Sequence, residues 1–387
     1  MLKNQKISMA GIYIHIPFCK RKCSYCDFYS VAKTERADAY VSALVRELHI
    51  RDKEIDLDNV TTIYIGGGTP SVLTLAQMEM LMNGLREKVN FVNVREVTIE
   101  VNPDDVTEDY ISGLKSLGVN RVSMGVQSFV DSELKAVNRR HNAAEAISAL
   151  EAIRRAGIAN VSIDLIYGLP GQTIESWQYS LDTLLSLGVE HVSAYNLSYE
   201  EGTALTRLRD MGRIIEVDED TCVEMYEMLC LRLSEAGYEH YEISNFARPG
   251  MYSCHNSNYW NGTPYLGLGA AAHSFDGAVR RYNPNDVKSY LETINQGQSA
   301  YESEREEWWQ MYNEMVMVSL RTMWGVDATI IEKRFGARMR SRFENIARDY
   351  ITRGLMAKSG NCYRITESGV MLSDRIIRDL MFVADEE

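Results

Sequence analysis

Between residues 11 and about 245, short apolar runs alternate with amphipathic helical stretches, and this alternation constrains the fold more than any other feature of the chain. Strand, helix and strand in repetition build a parallel sheet with crossover helices. The spacing predicts strands over 12–16, 62–65, 96–101, 121–124, 161–166 and 191–195. Thr107 and Thr173 stand where helix N-caps belong, and Gly118 and Gly188 stand one step past the helices they would end. Six such units make an open, partial (β/α)6 barrel of the α/β class. In such sheets ligands gather at the carboxyl ends of the strands, so the loops following each strand are where chemistry is sought.

The rhythm breaks after residue 245. Gly, Pro, Asn and aromatic residues crowd 246–272, which reads as a long ordered loop after the barrel. The domain boundary is expected there: a barrel over 1–245, a connecting segment over 246–304 and a C-terminal domain over 305–387. This last part is helical to Leu355, then shows a hairpin pattern at 356–359/363–366 around Gly360-Asn361, then a final helix, the outline of a mainly helical winged-helix-like domain. With 387 residues and 45% apolar content, the chain can bury one large core and a smaller one.

A net charge of −13 argues against a general nucleic-acid binder, because an acidic surface repels phosphates. The one local exception is 331–353, where Lys333, Arg334, Arg338, Arg340, Arg342, Arg348 and Arg353 face only three acids, Glu332, Glu344 and Asp349. No secretory leader pattern opens the sequence and no run of about 18 apolar residues could span a bilayer. A cytoplasmic protein without a transmembrane segment is expected, with peripheral membrane contact left open.

Three of the seven cysteines crowd into C-x3-C-x2-C, Cys19, Cys23 and Cys26, directly after the first predicted strand, while Cys222, Cys230, Cys254 and Cys362 lie scattered. This is no secreted disulfide framework; it points to metal chemistry in a reducing compartment. Four cysteines would close every iron of a cubane or complete a tetrahedral zinc site, whereas three leave one position for an exchangeable ligand. The alternative is a zinc site completed by His15 or another residue.

With its flanks, the run YIHIPFCKRKCSYC resembles the radical S-adenosylmethionine enzymes, in the branch related to oxygen-independent coproporphyrinogen III oxidase. The resemblance covers nearly the whole chain. It implies a [4Fe-4S] cluster on Cys19, Cys23 and Cys26, with the open iron chelated by the amino and carboxylate groups of S-adenosylmethionine (SAM), and electron transfer that releases a 5'-deoxyadenosyl radical. Tyr25 matches the family's aromatic position beside the adenine and Tyr13 a cofactor-contact position; the plainer reading of each is core packing. Gly66-Gly67-Gly68-Thr69-Pro70 follows the second predicted strand, and there Gly67, Gly68 and Thr69 match the methionine-binding segment; glycines let backbone approach a ligand closely. Glu100, Gln127, Arg139 and Asp164, in EVNP, GVQS, VNRRHN and SIDLIYGLP, occupy further SAM-binding positions. A zwitterionic sulfonium with ribose hydroxyls needs this mixture of carboxylate, amide and guanidinium.

Two features depart from the oxidases. They carry a fourth cysteine where this chain has Phe28, and a longer segment ahead of the first strand than the dozen residues found here. In place of those parts, Cys254 to Trp260 contains HNxxYW, which resembles the signature of a heme-chaperone branch of the same family. That resemblance implies heme as a ligand and an acceptor haemoprotein as a partner. A neutral imidazole at His255 could ligate heme iron, with Asn256, Tyr259 and Trp260 contacting the porphyrin. Cys254 is a further candidate that nothing in the sequence selects, and His273 in GLGAAAHS reads as a packed or hydrogen-bonded loop residue. Three readings follow: a heme chaperone, the expected one; an oxidative decarboxylase of coproporphyrinogen III; and a nucleic-acid binder using the basic C-terminal helix, which the overall charge disfavours. Whether the chain works as an enzyme is not decided by these motifs.

Overall fold

The computed structural model describes residues 9–32 and 34–384. The opening residues, on which the expectation of no leader rests, lie largely outside that range. Six parallel strands appear in chain order where the alternation places them: β1 (Ala10–Ile16), β2 (Val60–Gly67), β3 (Glu96–Val101), β4 (Arg121–Gln127), β5 (Asn160–Tyr167) and β6 (His191–Asn196). They pair consecutively, and their helices return over one face. Thr107 and Thr173 cap their helices through their hydroxyls, and Gly188 takes the left-handed conformation that ends helix Ile174–Leu187.

Alternate positions along these strands have opposite characters. Ile12, Ile14, Ile63, Ile65, Val97, Ile99, Val122, Met124, Val161, Ile163, Val192 and Ala194 pack beneath the helices in one continuous core. Their neighbours Tyr64, Glu100, Arg121, Ser123, Asp164 and Ser193 face the other way, into a cavity. A parallel strand buried on both faces is ordinarily apolar throughout. Here the polar inner face marks the interior as a ligand site.

Residues 246–272 do not form the long loop expected of them, and the connecting segment 246–304 as a whole holds regular elements. After the antiparallel pair β7 (Glu239–Glu242) and β8 (Asn245–Ala247) come helix Cys254–Asn261, β9 (Tyr265–Leu268), β10 (His273–Phe275), β11 (Val279–Tyr282), helix Val287–Asn295 and β12 (Glu302–Arg305). β9 runs parallel to β1 on the side away from β2, β10 to β12 continue antiparallel from it, and β8 pairs with β6, giving an open sheet of twelve strands. Leu266, Leu268, Val287, Tyr290 and Ile294 belong to the barrel's own core. The glycines suggested a loop, yet Gly267 is a packing residue: a Cβ there would lie 1.9 Å from the His273 carbonyl oxygen. His273, expected in a loop, is an exposed residue of β10 beside Tyr282.

A second core gathers Tyr312, Leu320, Phe343, Tyr350, Tyr363 and Ile376. It joins helices Trp308–Leu320, Ala328–Phe335, Ala337–Thr352 and Ser373–Leu380 to a small sheet of β13 (Val326–Asp327), β14 (Met356–Ser359) and β15 (Cys362–Ile365). The hairpin turns at Gly360-Asn361 as expected, but its second strand begins one residue earlier than the pattern suggests. The basic helix is not a free cationic face: Arg340 pairs with Glu332 and Glu344, Arg353 with Asp349, and Arg342 donates to the carbonyls of Leu380 and Met381. Among the described residues no helix is long and apolar enough to cross a membrane.

Candidate cofactor site

Cys19, Cys23 and Cys26 follow β1 and line a cavity of about 490 Å³, together with Tyr25, Gly67, Gly68, Thr69, Glu100, Gln127, Arg139 and Asp164. Residues separated by up to 145 positions in sequence thus converge because each follows, or ends, a strand of the same sheet. Tyr13 does not line the cavity: its hydroxyl turns to His15 Nδ1 at 3.0 Å, and its ring packs against Tyr64. Tyr13 thus stands one ring behind the lining, against Tyr64.

The glycine turn is built for close approach. A Cβ at Gly68 would meet the carbonyl oxygens of Phe18 and Ile16 at 2.8 and 3.0 Å and the Cys19 sulfur at 3.1 Å, and Gly67 takes a positive φ of 112°. Thr69 donates its hydroxyl to Cys19 Sγ at 3.4 Å. Gln127, a non-glycine residue at φ 69°, is strained into the left-handed region at the end of β4, the kind of outlier that clusters at functional sites.

Arg139 reaches Cys23 Sγ at 3.3 Å and Asn102 Oδ1 at 3.0 Å, and also donates to the Gly125 carbonyl, while its buried Nε has no protein partner. Glu100 accepts from the Tyr64 hydroxyl at 2.8 Å and from Gly67 N–H at 3.0 Å, and burial outweighs both bonds to push its carboxyl up to about 7. Asp164, also raised by burial, accepts from the hydroxyls of Ser123 and Ser162 at 3.1 and 3.3 Å. Near neutrality Glu100 can therefore present either a donor or an acceptor to a ligand.

These donors fit the cofactors that the resemblance implies. Three thiols open on a common space, close-approach backbone lies beside them, and an unpartnered guanidinium nitrogen and two buried carboxyls complete the mixed polarity that SAM requires. His15, the named fourth ligand of the zinc alternative, is held by the Tyr13 hydroxyl and the Tyr29 carbonyl. Among the described residues no three His, Cys, Asp or Glu side chains gather as a single ion would need.

Sequence reasoning missed Arg121, Ser123, Ser193 and Tyr195, which line the same cavity. Arg121 is 1% exposed and its Nε has no partner. The signal was present as polar residues at every second position of β4, β5 and β6 (Arg121, Ser123; Ser162, Asp164; His191, Ser193).

HNxxYW lies at the other end of the strands. Helix Cys254–Asn261 packs against the amino-terminal halves of β1 and β2, with both oxygens of the buried Glu96 accepting from the backbone N–H groups of Cys254 and His255 at 2.8 and 3.0 Å. His255 is 1% exposed; Nδ1 meets Thr62 Oγ1 at 2.9 Å, Nε2 meets the Tyr259 hydroxyl at 3.0 Å, and its ring stacks on Tyr64. Burial holds it down at about 3, a neutral imidazole. Asn258 also donates to Thr62 Oγ1. In this structure both ring nitrogens meet protein hydroxyls and the ring is buried. Tyr259 spends its hydroxyl on His255, Trp260 is half-buried, and of the motif only Asn256 reaches the cavity. Cys254 is exposed, and burial of its sulfur environment pushes its thiol up to about 11.

Comparison with known proteins agrees with this geometry. Residues 13–184 match the Radical SAM superfamily and residues 309–372 the HemN C-terminal domain. The chain is 34% identical to the heme chaperone HemW of Bacillus subtilis over 95% of its own length and 98% of that protein. It is 33% identical to the heme chaperone HemW of Mycobacterium tuberculosis over 96% and 94%. The solved structure of the Escherichia coli radical SAM enzyme coproporphyrinogen III oxidase (HemN) superposes with a TM-score of 0.82 at 25% identity, covering 97% of this chain and 90% of that one. The chain belongs to the radical SAM superfamily and, within it, to the HemW family.

Proposed function

We propose that this protein is a cytoplasmic heme chaperone: it binds heme, carries a [4Fe-4S] cluster on Cys19, Cys23 and Cys26 with SAM beside it, and passes heme to an acceptor haemoprotein. The observation that carries the reading is the near end-to-end match to chains named heme chaperones. The cavity supports the cofactor part. The three thiolates would hold the cluster, the Gly67-Gly68-Thr69 backbone and Arg139 would seat the methionyl end of SAM, and Glu100, Gln127 and Asp164 would take its amino and hydroxyl groups. When bound, the cluster supplies the electron for reductive cleavage of the sulfonium. The chain's own part is to orient the ligand, to hold a proton on Glu100 near neutrality and to keep the thiols in one enclosed space.

The second reading, oxidative decarboxylation of coproporphyrinogen III, is favoured by the close superposition on the oxidase. Against it stands Phe28, 65% exposed on the cavity lining where the oxidases carry their fourth cysteine. Anaerobically reconstituted protein is expected to bind hemin, transfer it to an apo-haemoprotein and leave coproporphyrinogen III unconverted. Decarboxylation without heme transfer would return the chain to the oxidases.

A further inference from the structure

Arg121 has no task among the groups that would hold the cluster and SAM. It opens β4, whereas Gln127 ends it, six residues or about 20 Å farther along the strand at roughly 3.3 Å per residue. Its side chain nevertheless lines the same cavity and is 1% exposed. A guanidinium so deeply buried ordinarily meets a carboxylate, because an uncompensated interior charge is costly. Here no described carboxylate stands within ion-pair distance of it, and its buried Nε has no partner.

The acids nearby are held by neutral donors instead. Glu96 accepts from the backbone N–H groups of Cys254 and His255, Glu100 from the Tyr64 hydroxyl and Gly67 N–H, and Asp164 from the hydroxyls of Ser123 and Ser162. Thr98, the partner of Arg121 in register on β3, is 0% exposed, and its hydroxyl also lacks a partner. Two polar groups on adjacent strands are thus left open together, on the face that lines a cavity.

We propose that Arg121 is a carboxylate-receiving residue, and that the inner part of the cavity, away from the cysteines, takes a ligand that bears one. The planar fork of a guanidinium matches a carboxylate through two parallel charge-assisted bonds. A doubly charged phosphate would meet repulsion from Glu100 and Asp164 in the same lining, whereas one guanidinium balances the single charge of a carboxylate. Two sources offer that group: a free small acid, or a propionate arm of heme, the latter resting on the heme-chaperone reading. Asn256 brings the HNxxYW helix to the same cavity, and the charge of Arg121, second only to burial, lowers the His255 imidazole. The guanidinium therefore lies between the cavity and that helix.

The test uses the full chain as wild type, Arg121→Met, which keeps the apolar stem, and Arg121→Lys, which keeps the charge. Thermal melting in about 100 mM sodium propionate against equal sodium chloride reads the free acid. The affinity for hemin against hemin dimethyl ester reads the heme arm. The wild type should show a melting rise of several degrees with propionate, or bind hemin about tenfold more tightly than its ester; the first assigns the free acid and the second the heme. Arg121→Met should erase the response and Arg121→Lys should keep part of it. In chloride Arg121→Met should melt no lower than the wild type, since it removes a charge without a partner. A wild type that binds hemin and its ester equally and ignores propionate overturns the subsite and leaves the chaperone reading standing. A propionate response lost in Arg121→Met, in a chain that binds no hemin, keeps the subsite and overturns the chaperone reading. A response that survives in Arg121→Met overturns the subsite, and so does an Arg121→Met chain that fails to fold, because the guanidinium then holds structure.

Discussion

The two ends of the barrel strands hold equally dense polar residues and treat them in opposite ways. At the carboxyl ends the cysteine thiols, the Arg139 Nε and the raised carboxyls of Glu100 and Asp164 face a cavity with contacts still to be made. At the amino ends Glu96, Thr62, His255, Asn258 and Tyr259 satisfy one another. Buried polar groups that are fully matched make structure, and those left open make sites. By that criterion HNxxYW closes the floor of the barrel in this structure.

The largest effect should come from the open end. Cys19→Ala, Cys23→Ala or Cys26→Ala should each abolish the cluster, taking iron and sulfide from about four each per chain to near zero. In metal-free protein Cys26→Ala, at a half-buried position, should change stability by only about 1 kcal/mol, and Cys19→Ala, at a buried sulfur that accepts from Thr69, by more. Iron and sulfide analysis beside urea denaturation reads both. Full cluster content in any of the three variants would break the comparison at its first term.

The amino end should behave in reverse. His255→Ala leaves the Thr62 and Tyr259 hydroxyls without their imidazole partner and opens a cavity, for a loss of roughly 2–4 kcal/mol, with iron and sulfide retained. The loss carries a pH signature. His255 titrates at about 3 when folded and near its ordinary value of 6.5 when unfolded, so between these values the unfolded chain takes up a proton that the folded chain refuses. Its contribution is complete above about pH 6.5 and is lost as pH falls toward 3. His255→Gln should therefore be less stable at neutral pH but flatten the acid side of the stability profile. Parallel profiles for wild type and variant across that window would show that the imidazole is not held neutral by burial.

The difference between the two ends also explains what could be read from sequence. The six strands were legible because parallel strands under helices need apolar residues at alternate positions, as Ile12, Ile14, Ile63 and Ile65 show. The cysteine loop was legible because ligand number and spacing carry chemistry by themselves. HNxxYW was legible as a motif but not in its packing, since spacing says that residues are constrained and not what constrains them; Thr62 and Glu96, which hold His255, lie more than 150 positions away. β9 to β12 were hidden by glycines, one of which, Gly267, serves close approach to the His273 backbone, a purpose that appears only once the strands are paired.

Trp260 is the exception that sharpens the contrast, and it carries the smallest expected effect. Its indole nitrogen is buried without a hydrogen-bond partner, while the other polar groups of the floor named above are matched. Replacing a donor that makes no bond removes a desolvation penalty along with some packing area, and the two terms oppose each other. Trp260→Phe should therefore change unfolding free energy by less than about 1 kcal/mol and leave hemin affinity where it was. If the indole instead lies flat against porphyrin in the loaded protein, hemin affinity falls while stability stays put. That outcome would require helix Cys254–Asn261 to leave its seat on β1 and β2, and would move the floor of the barrel from the matched set to the open one.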